Sequence, residues 1–266
     1  MKIGFIGVGN MGGALLRGIL AGGTLAPSEV FCCDYDAPKA QVFASEFGIT
    51  ALPDAKTLAG AADLIVLAVK PDVAPSVLRS FADVLTAEKL VLSVVLGLSI
   101  ADMTGHTGGK CRVIRVMPNT PALVGAGMLC VSFGDGISEA EKALAASLLT
   151  SCGEVEVMDE KYLARVTGLT GSSPAYVFMM LEAMADAAVR NGLPRAMSYR
   201  LAAQAVFGSA KMALEQGGHP GALKDNVCSP AGSTIEAVRV LEARGFRSAL
   251  IEAIIACDAK AAESSK

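Results

Sequence analysis

The sequence lacks the features that mark several large classes of protein. No run approaches the ~20 consecutive apolar residues that a membrane-spanning helix needs. No long basic run is present and the formal net charge is −3, so the positive surface that binds nucleic acid is missing. The two histidines, His106 and His219, have no neighbours at metal-ligand spacing. We therefore expect no membrane span, no nucleic-acid partner and no metal site.

Paired cysteines are also missing. The chain has seven cysteines, an odd number with no Cys-x-x-Cys pair, which indicates reduced thiols. Glycines at positions 7, 9, 12 and 13 interrupt the apolar stretch near the N-terminus, so we predict no signal peptide. Both observations favour a cytoplasmic protein.

Aromatic residues make up only 5% of the chain, although hydrophobic residues make up 52% of it. Alanine, valine, leucine and isoleucine must therefore supply the apolar surface. This hydrophobic fraction is high for a soluble monomer, and we predict that apolar faces are shared with a second copy of the chain. A homodimer, and possibly a larger homo-oligomer, is the expected state.

The first half alternates short apolar runs with helical spacing. The predicted strands are Ile3–Ile6, Val30–Cys33, Leu64–Val69, Leu90–Val95, Arg112–Met117 and Met128–Val131. Ser138 and Glu141 have the spacing of a capping box that opens a helix. Such alternation predicts βαβ units and an α/β fold with a doubly wound, mostly parallel sheet.

The second half, from about Asp159, shows only helical patterns. The predicted helices are Pro174–Asn191, Pro194–Gln216, Thr234–Ala243 and Phe246–Ala262. The first two are apolar around so much of their circumference that they require a partner surface. We predict two domains, a sheet domain over residues 1–158 and a helical domain over residues 159–266.

A glycine-rich turn follows the first predicted strand. Gly7, Gly9 and Gly12 form Gly-x-Gly-x-x-Gly between a strand and a helix. Gly7 permits a tight turn, Gly9 admits a pyrophosphate close to the backbone, and Gly12 brings the helix against the strand. Asp34 follows at the end of the second strand, where a carboxylate accepts from the adenosine ribose. This pattern predicts a Rossmann-type dinucleotide-binding domain.

Asp34 also bears on the choice between NAD(H) and NADP(H). A carboxylate at this position repels a 2′-phosphate, and no arginine stands beside it. Lys39 and Lys56 could compensate but are expected to lie too far away. The sequence therefore favours NADH over NADPH.

Further contacts are expected where later strands end, because ligands bind outside the carboxyl ends of parallel strands. Lys70 and Asn119 add polar groups there. In the second half, a polar segment, Leu223–Thr234, interrupts the helices. Its small residues leave amides exposed before a helix, which suits a small carboxylate, although an ordinary capped loop would read the same way.

These segments together resemble pyrroline-5-carboxylate reductases. The resemblance rests on Phe5–Met11, Ala68–Pro71, Met117–Pro121, Thr167–Tyr176 and Leu223–Thr234, and it extends from about residue 2 to residue 258. It implies reduction of 1-pyrroline-5-carboxylate to proline by NAD(P)H, the last step of proline biosynthesis. It also implies that the helical domain forms the dimer and holds the substrate.

The resemblance assigns roles to individual residues. The dinucleotide site would be lined by Ile6, Gly7, Val8, Gly9, Asn10, Met11, Asp34, Ala68, Val69, Lys70, Pro71, Val94, Val95 and Leu96, with Asn226 reaching it from the helical domain. Ser233 and Thr234, next to Gly232, would hold the substrate's carboxylate and ring nitrogen, with Glu160 nearby. We assign Thr234 the hydrogen bond to that nitrogen, since a threonine hydroxyl is too weak an acid to supply a proton.

Two positions depart from the family pattern. Members often carry a small hydroxylic residue in place of Asp34, and an alanine-rich segment in place of Val94–Leu96. The nearest alternatives are another imine reductase and a β-hydroxyacid dehydrogenase. The hydroxyacid enzymes carry a catalytic lysine on the first long helix of the second domain, and Pro174–Asp186 contains no lysine. A non-catalytic dinucleotide sensor would not need the polar Leu223–Thr234 segment.

Overall fold

The computed structural model describes residues 1–263 and divides the chain into two compact units. The first unit comprises Met1–Ser172 together with the residues from Cys257 onward, and the second comprises Ser173–Ala256. The domain boundary expected between residues 158 and 159 stays a prediction, because compactness alone does not define a domain boundary.

The first unit contains one eight-stranded sheet. In chain order the strands are β1 (Ile3–Ile6), β2 (Val30–Cys33), β3 (Thr50–Ala51), β4 (Leu64–Leu67), β5 (Leu90–Ser93), β6 (Arg112–Met117), β7 (Gly127–Phe133) and β8 (Gly153–Val157). The spatial order is β3-β2-β1-β4-β5-β6-β7-β8. All neighbours are parallel except β6 and β7. The predicted α/β doubly wound sheet is confirmed.

The strands differ from the prediction at their ends and in number. β4 and β5 stop at Leu67 and Ser93, two residues before the predicted ends, because the chain turns out of the sheet there. The short β3 and the edge strand β8 were not predicted. β8 alternates glutamate with valine and its burial is slight, so its sequence gives only a weak strand signal.

Seven helices cover the two faces of the sheet. They are α1 (Asn10–Ala21), α2 (Ala37–Phe47), α3 (Ala55–Ala61), α4 (Ala74–Phe81), α5 (Ile100–Thr107), α6 (Glu139–Thr150) and the short α7 (Glu160–Leu163). α1, α2 and α6 contribute to one apolar cluster, and α3, α4 and α5 to the other. Leu64 and Val66 of β4 face the first cluster, while Ile65 and Leu67 face the second. Each such buried side chain stabilises the fold by about 1.5–3 kcal/mol.

The predicted capping box before α6 is confirmed. The Ser138 hydroxyl accepts from the Glu141 amide at 3.3 Å, and a Glu141 carboxylate oxygen accepts from the Ser138 amide at 2.9 Å. These two bonds satisfy backbone donors that a helix N-terminus otherwise leaves without partners.

Helices are the only regular secondary structure in the described residues of the second unit. Its helices are α8 (Ser173–Arg190), α9 (Arg195–Gln216), α10 (Pro220–Val227), α11 (Ser233–Ala243) and α12 (Phe246–Glu263), the last of which runs on into the first unit. Within residues 1–263, no helix has both the length and the apolar character needed to cross a membrane.

The reading of Leu223–Thr234 as one polar loop is wrong in its first half. Leu223–Val227 belong to α10, which has Pro220 at its first position and His219 as its N-cap. The His219 ring nitrogen Nδ1 accepts from the Gly221 amide at 3.0 Å. Proline is preorganised for the first helical turn, so this pair starts a helix that the polar composition hides.

Candidate functional site

The glycine-rich turn between β1 and α1 is closed by contacts that only glycine permits. Gly7 has a φ of +93°, and its amide donates to the Cys33 carbonyl at 2.8 Å. A Cβ atom built on Gly12 would lie 2.1 Å from the Gly7 carbonyl oxygen. Any side chain at Gly12 would push α1 away from β1, so the turn depends on these two glycines.

The space over Gly9 is open. In residues 1–263, outside the adjoining residues and the α1 backbone, a Cβ atom built on Gly9 would meet a single atom within 4 Å, Nζ of Lys39 at 3.9 Å. Gly9 is the N-cap of α1, has no side chain to cap it, and no acidic residue lies in the first turn. Amides without partners and a positive helix end suit a pyrophosphate. The residues present therefore fit a dinucleotide.

Asp34 lies directly beside this turn. One carboxylate oxygen accepts from the Val8 amide at 2.8 Å, and the other accepts from the Asp36 amide at 3.0 Å. The carboxylate thus fixes the glycine-rich turn from the end of β2. Its negative charge is held within hydrogen-bonding distance of the loop that would carry the adenosine half of a dinucleotide.

The segment after β4 packs against the same turn. The Ala68 amide donates to the Ile6 carbonyl at 2.9 Å, and a Cβ atom on Gly12 would lie 2.9 Å from the Ala68 Cβ. Lys70 and Pro71 are exposed. The Lys70 carbonyl accepts from the amides of Val73 and Ala74, so this residue also begins the turn into α4.

The segment after β5 follows β4 along the same edge of the sheet. The Val94 amide donates to the Leu67 carbonyl at 3.0 Å, and the Val95 amide donates to the buried Ser93 hydroxyl at 3.2 Å. Val95 is buried while Leu96 is exposed. The strand end therefore exposes an apolar side chain, Leu96, on a turn that the hydrogen bond to Ser93 stabilises.

Glu160 is bound to two elements of the first unit. Its Oε1 accepts from the Ile100 amide, in the first turn of α5, at 2.7 Å and from the Arg115 guanidinium of β6 at 2.8 Å. Arg115 is 12% exposed and Glu160 is 31% exposed. The pair ties α7, α5 and β6 together just beyond the Val94–Leu96 turn.

Asn119 has a structural use for both ends of its amide. Nδ2 donates to the Thr170 carbonyl at 2.9 Å, and Oδ1 accepts from the Met128 amide at 2.9 Å. The side chain is buried. It joins the turn after β6 to β7 and to the π-helical turn Thr167–Gly171.

In the second unit, Gly232 is the N-cap of α11 and makes no side-chain capping bond. Ser233 and Thr234 form the first turn of this helix, and Asn226 is exposed near the end of α10. Ala231, just before the cap, has a φ of +57° and is the one non-glycine residue with positive φ in residues 1–263. The amides that begin α11 are therefore presented by a strained, small-residue turn.

The structure brings many of the predicted residues of the first unit together. Ile6–Met11, Asp34, Ala68–Pro71 and Val94–Leu96 follow one another along the carboxyl ends of β1, β2, β4 and β5. This is where the strand order reverses, and a doubly wound sheet has its crevice there. Sequence reasoning missed two contacts, that of Arg115 with Glu160 and the position of Lys39 close to Gly9. The Lys39 ammonium lies 3.9 Å from the position of a Cβ atom on Gly9, while its expected distance from a 2′-phosphate beside Asp34 stays a prediction.

The fold and this edge of the sheet define a dinucleotide-binding protein of the doubly wound class. Comparison with known proteins gives the family. The model of the family described as "Pyrroline-5-carboxylate reductase dimerisation" matches residues 160–264, and that of "NADP oxidoreductase coenzyme F420-dependent" matches residues 2–97. A pyrroline-5-carboxylate reductase is 48% identical to the chain along its whole length, so the chain belongs to this family and carries its dimerisation domain.

Relatives match over the full length. The chain is 48% identical to pyrroline-5-carboxylate reductase of Escherichia coli over 100% of this chain and 98% of the relative. It is 40% identical to that of Glycine max over 99% and 96%. A solved structure of the Plasmodium falciparum pyrroline carboxylate reductase with NADP bound has a TM-score of 0.90 and 32% identity, covering 100% of this chain and 98% of that one.

Proposed function

We propose that this chain reduces the ring C=N bond of 1-pyrroline-5-carboxylate to give proline, the last step of proline biosynthesis, with NAD(P)H as the hydride donor. The observation that carries the proposal is the 48% identity to a pyrroline-5-carboxylate reductase along the whole chain. This similarity favours the reductase over the β-hydroxyacid dehydrogenase and the other imine reductases considered as alternatives.

The dinucleotide is held along the carboxyl edge of the sheet. Reduced nicotinamide, when bound, supplies the hydride that the imine carbon accepts. The amides at the start of α1 stabilise the pyrophosphate, and the Asp34 carboxylate accepts from the adenosine ribose. The lining residues are Ile6, Gly7, Val8, Gly9, Asn10, Met11, Asp34, Ala68, Val69, Lys70, Pro71, Val94, Val95, Leu96, Asn119 and Asn226.

The substrate carboxylate binds the N-terminus of α11. The N-cap, Gly232, has no side chain to cap the helix, so the first-turn amides keep their capacity to donate to an anion. The helix dipole adds to this attraction. The Ser233 hydroxyl, at the first helical position, donates a further hydrogen bond to the carboxylate.

Thr234 positions the ring nitrogen. When hydride adds to the carbon of the N-protonated imine, the electron pair of the C=N bond becomes the lone pair of the nitrogen, which keeps its proton. The Thr234 hydroxyl hydrogen-bonds this nitrogen and orients the ring, but its pKa is far too high for it to be the proton source. Most of the rate enhancement then comes from holding the imine carbon in line with the donor.

Glu160, placed near the substrate by the family resemblance, acts through the strand-end turn. Its contacts to Ile100 and Arg115 use the same oxygen, Oε1. We assign it a positioning role for the Val94–Leu96 turn, which would face the nicotinamide.

Asp34 makes NADH at least as good a donor as NADPH. Its charge lies beside the ribose hydroxyls and opposes a 2′-phosphate. The active form is a homodimer or a larger homo-oligomer that forms through the helical unit, and it works in the cytoplasm.

The decisive experiment is the loss of NADH absorbance when 1-pyrroline-5-carboxylate is added to the purified protein. We expect turnover with proline as the product. A matched Gly9→Asp variant, which places a carboxylate where the pyrophosphate passes, should be inactive. Turnover of a β-hydroxyacid with NAD⁺, without reduction of pyrroline-5-carboxylate, would overturn the proposal.

A further inference from the structure

Lys39 has an unusual position for an exposed lysine. It lies in the first turn of α2 and its side chain is exposed, so water alone would be an adequate partner for its ammonium. Instead, Nζ lies 3.9 Å from the position of a Cβ atom on Gly9, and in residues 1–263 no other atom outside the adjoining residues and the α1 backbone comes within 4 Å of that point. The ammonium therefore stands over the open part of the glycine-rich turn.

The neighbouring carboxylates do not account for this position. Both oxygens of Asp34 accept from backbone amides, and Asp36 accepts from the backbone amide of Lys39 itself. In residues 1–263, no carboxylate lies within ion-pair distance of Lys39 Nζ. The ammonium thus lies near Gly9 without an ion-pair partner in the described residues.

We infer that the Lys39 ammonium binds the pyrophosphate of the dinucleotide, a role that rests on the proposed function. Gly9 is the glycine over which the pyrophosphate passes, and α1 offers the anion backbone amides but no charged side chain in its first turn. Lys39 supplies the positive charge that this turn lacks. A cation at this point acts on both dinucleotides equally, so it leaves the discrimination by Asp34 unchanged.

The competing role for Lys39 is recognition of the 2′-phosphate of NADPH. The two roles differ in which ligands they affect. ADP-ribose carries the pyrophosphate alone, whereas 2′-phospho-ADP-ribose carries both groups. A pyrophosphate contact stabilises both ligands by the same factor, while a 2′-phosphate contact stabilises only the second ligand.

The test is calorimetric titration of the full-length protein with ADP-ribose and with 2′-phospho-ADP-ribose. Lys39→Met should weaken both ligands by about five- to tenfold, the usual effect of one charge-assisted contact. Lys39→Arg should restore most of the affinity. The matched control is Lys56→Met, which removes the same charge from a lysine that is paired with Asp83, and it should leave both dissociation constants unchanged.

Two results would overturn the inference. Unchanged affinities in Lys39→Met would mean that the ammonium contacts neither the pyrophosphate nor the 2′-phosphate. A loss of affinity for 2′-phospho-ADP-ribose alone would mean that the ammonium contacts the 2′-phosphate instead. Both results leave the proposed function standing as long as the wild type reduces pyrroline-5-carboxylate. If the wild type fails in that assay while Lys39→Met still weakens the binding of ADP-ribose, the proposed function is wrong and the contact between Lys39 and the pyrophosphate stands.

Discussion

Asp34 combines a structural bond with an electrostatic effect, and the two can be separated by substitution. Asp34→Asn keeps a side-chain oxygen that can accept from the Val8 amide but removes the negative charge. We expect kcat/KM for NADPH to rise relative to NADH by about tenfold, which is ~1.4 kcal/mol. Steady-state kinetics with both donors measures this ratio.

Asp36→Asn is the matched control for that experiment. It removes the same charge two residues away, and asparagine is as good an N-cap for α2 as aspartate. The donor ratio should change little. A wild-type enzyme that already prefers NADPH tenfold would contradict the role given to Asp34.

Thr234 belongs to the substrate half of the proposed chemistry. Thr234→Ala should lower kcat/KM for pyrroline-5-carboxylate by a factor that corresponds to roughly 1.5–3 kcal/mol of lost transition-state stabilisation. The reason is that a hydrogen bond that strengthens as the nitrogen gains electron density is lost. The dissociation constant for NADH, measured by fluorescence titration, should stay the same. Thr234→Ser keeps the hydroxyl and should retain most of the activity; unaltered kinetics in the alanine variant would leave Thr234 no part in the reaction.

The thiols of β2 make stability depend on alkaline pH. Burial, with added repulsion from Asp34, raises the pKa of Cys32 to about 11. Burial, with added repulsion from Cys32, Asp34 and Asp54, raises the pKa of Cys33 to about 12. The ordinary value is 9.0, so above pH 9 the unfolded chain ionises while the folded chain keeps its protons.

The free energy of unfolding should therefore be steady below pH 9 and fall as pH rises towards the folded-state pKa values. Each thiol contributes a loss of about 1.4 kcal/mol per pH unit in that window. Urea denaturation in the presence of a reductant, between pH 8 and 10.5, measures the slope. Cys33→Ala should show a shallower fall than the wild type; parallel curves would refute the assignment.

Among the elements, α5, α7 and β6 meet at Glu160. Glu160→Ala leaves Arg115 partly buried without its carboxylate and should lower the free energy of unfolding by about 2–3 kcal/mol. Combining it with Arg115→Met should cost less than the sum of the two single changes, since the second change removes the stranded charge. Urea denaturation of the four proteins gives the coupling energy, and strict additivity would show that the two residues do not act as a pair.

The elements that could be predicted from sequence are those whose signals are local. A few neighbouring residues are enough to determine each of three elements: the apolar run of β4, the glycine-rich turn and the Ser138–Glu141 capping box. β3 and β8 do not. β3 has only two residues, which pair with Phe31 and Cys32, and β8 has one strand neighbour, so both depend on the sheet that the rest of the chain builds.

The same division holds within the site. Gly7, Gly9, Gly12 and Asp34 could be predicted because their spacing alone implies the turn and the strand end. The contact between Arg115 and Glu160 spans 45 residues, and Lys39 reaches Gly9 by the direction of a long side chain. Neither distance nor direction is encoded in a local pattern, so both contacts needed the structure.

For the whole molecule, the second unit is too exposed to be a complete domain. The buried residues of α8 and α9 are Ala185, Ser198 and Ala202, whereas Phe207 is 58% exposed and Leu214 is 81% exposed. A surface this apolar needs a partner surface. The unit matches the model of a dimerisation domain, and we predict that a second copy of the chain supplies this partner surface.

We therefore expect that Phe207→Glu combined with Leu214→Glu converts a dimer to a monomer. Light scattering coupled to size exclusion should show the mass fall by half. Val42→Glu is the control, since Val42 is 63% exposed on α2 of the first unit and should leave the mass unchanged. A wild-type protein that is already monomeric, or a double variant that stays dimeric, would contradict the prediction.

The first unit is formed from two segments that the helical unit separates in the sequence, and this affects how the chain folds during translation. The Gly168 amide donates to the Asp258 carboxylate at 2.7 Å, and the Cys257 thiol contacts the Ser172 hydroxyl at 3.1 Å. Asp258 follows Gly168 by 90 residues, and at ~5–20 residues per second the ribosome needs about 5 to 20 seconds to add them. During that interval the nascent sheet is fully translated, yet the turn at Thr167–Gly171 waits for its last partner. The first unit is thus completed only after the helical unit has been translated, and a chain that stalls within the helical unit never completes it.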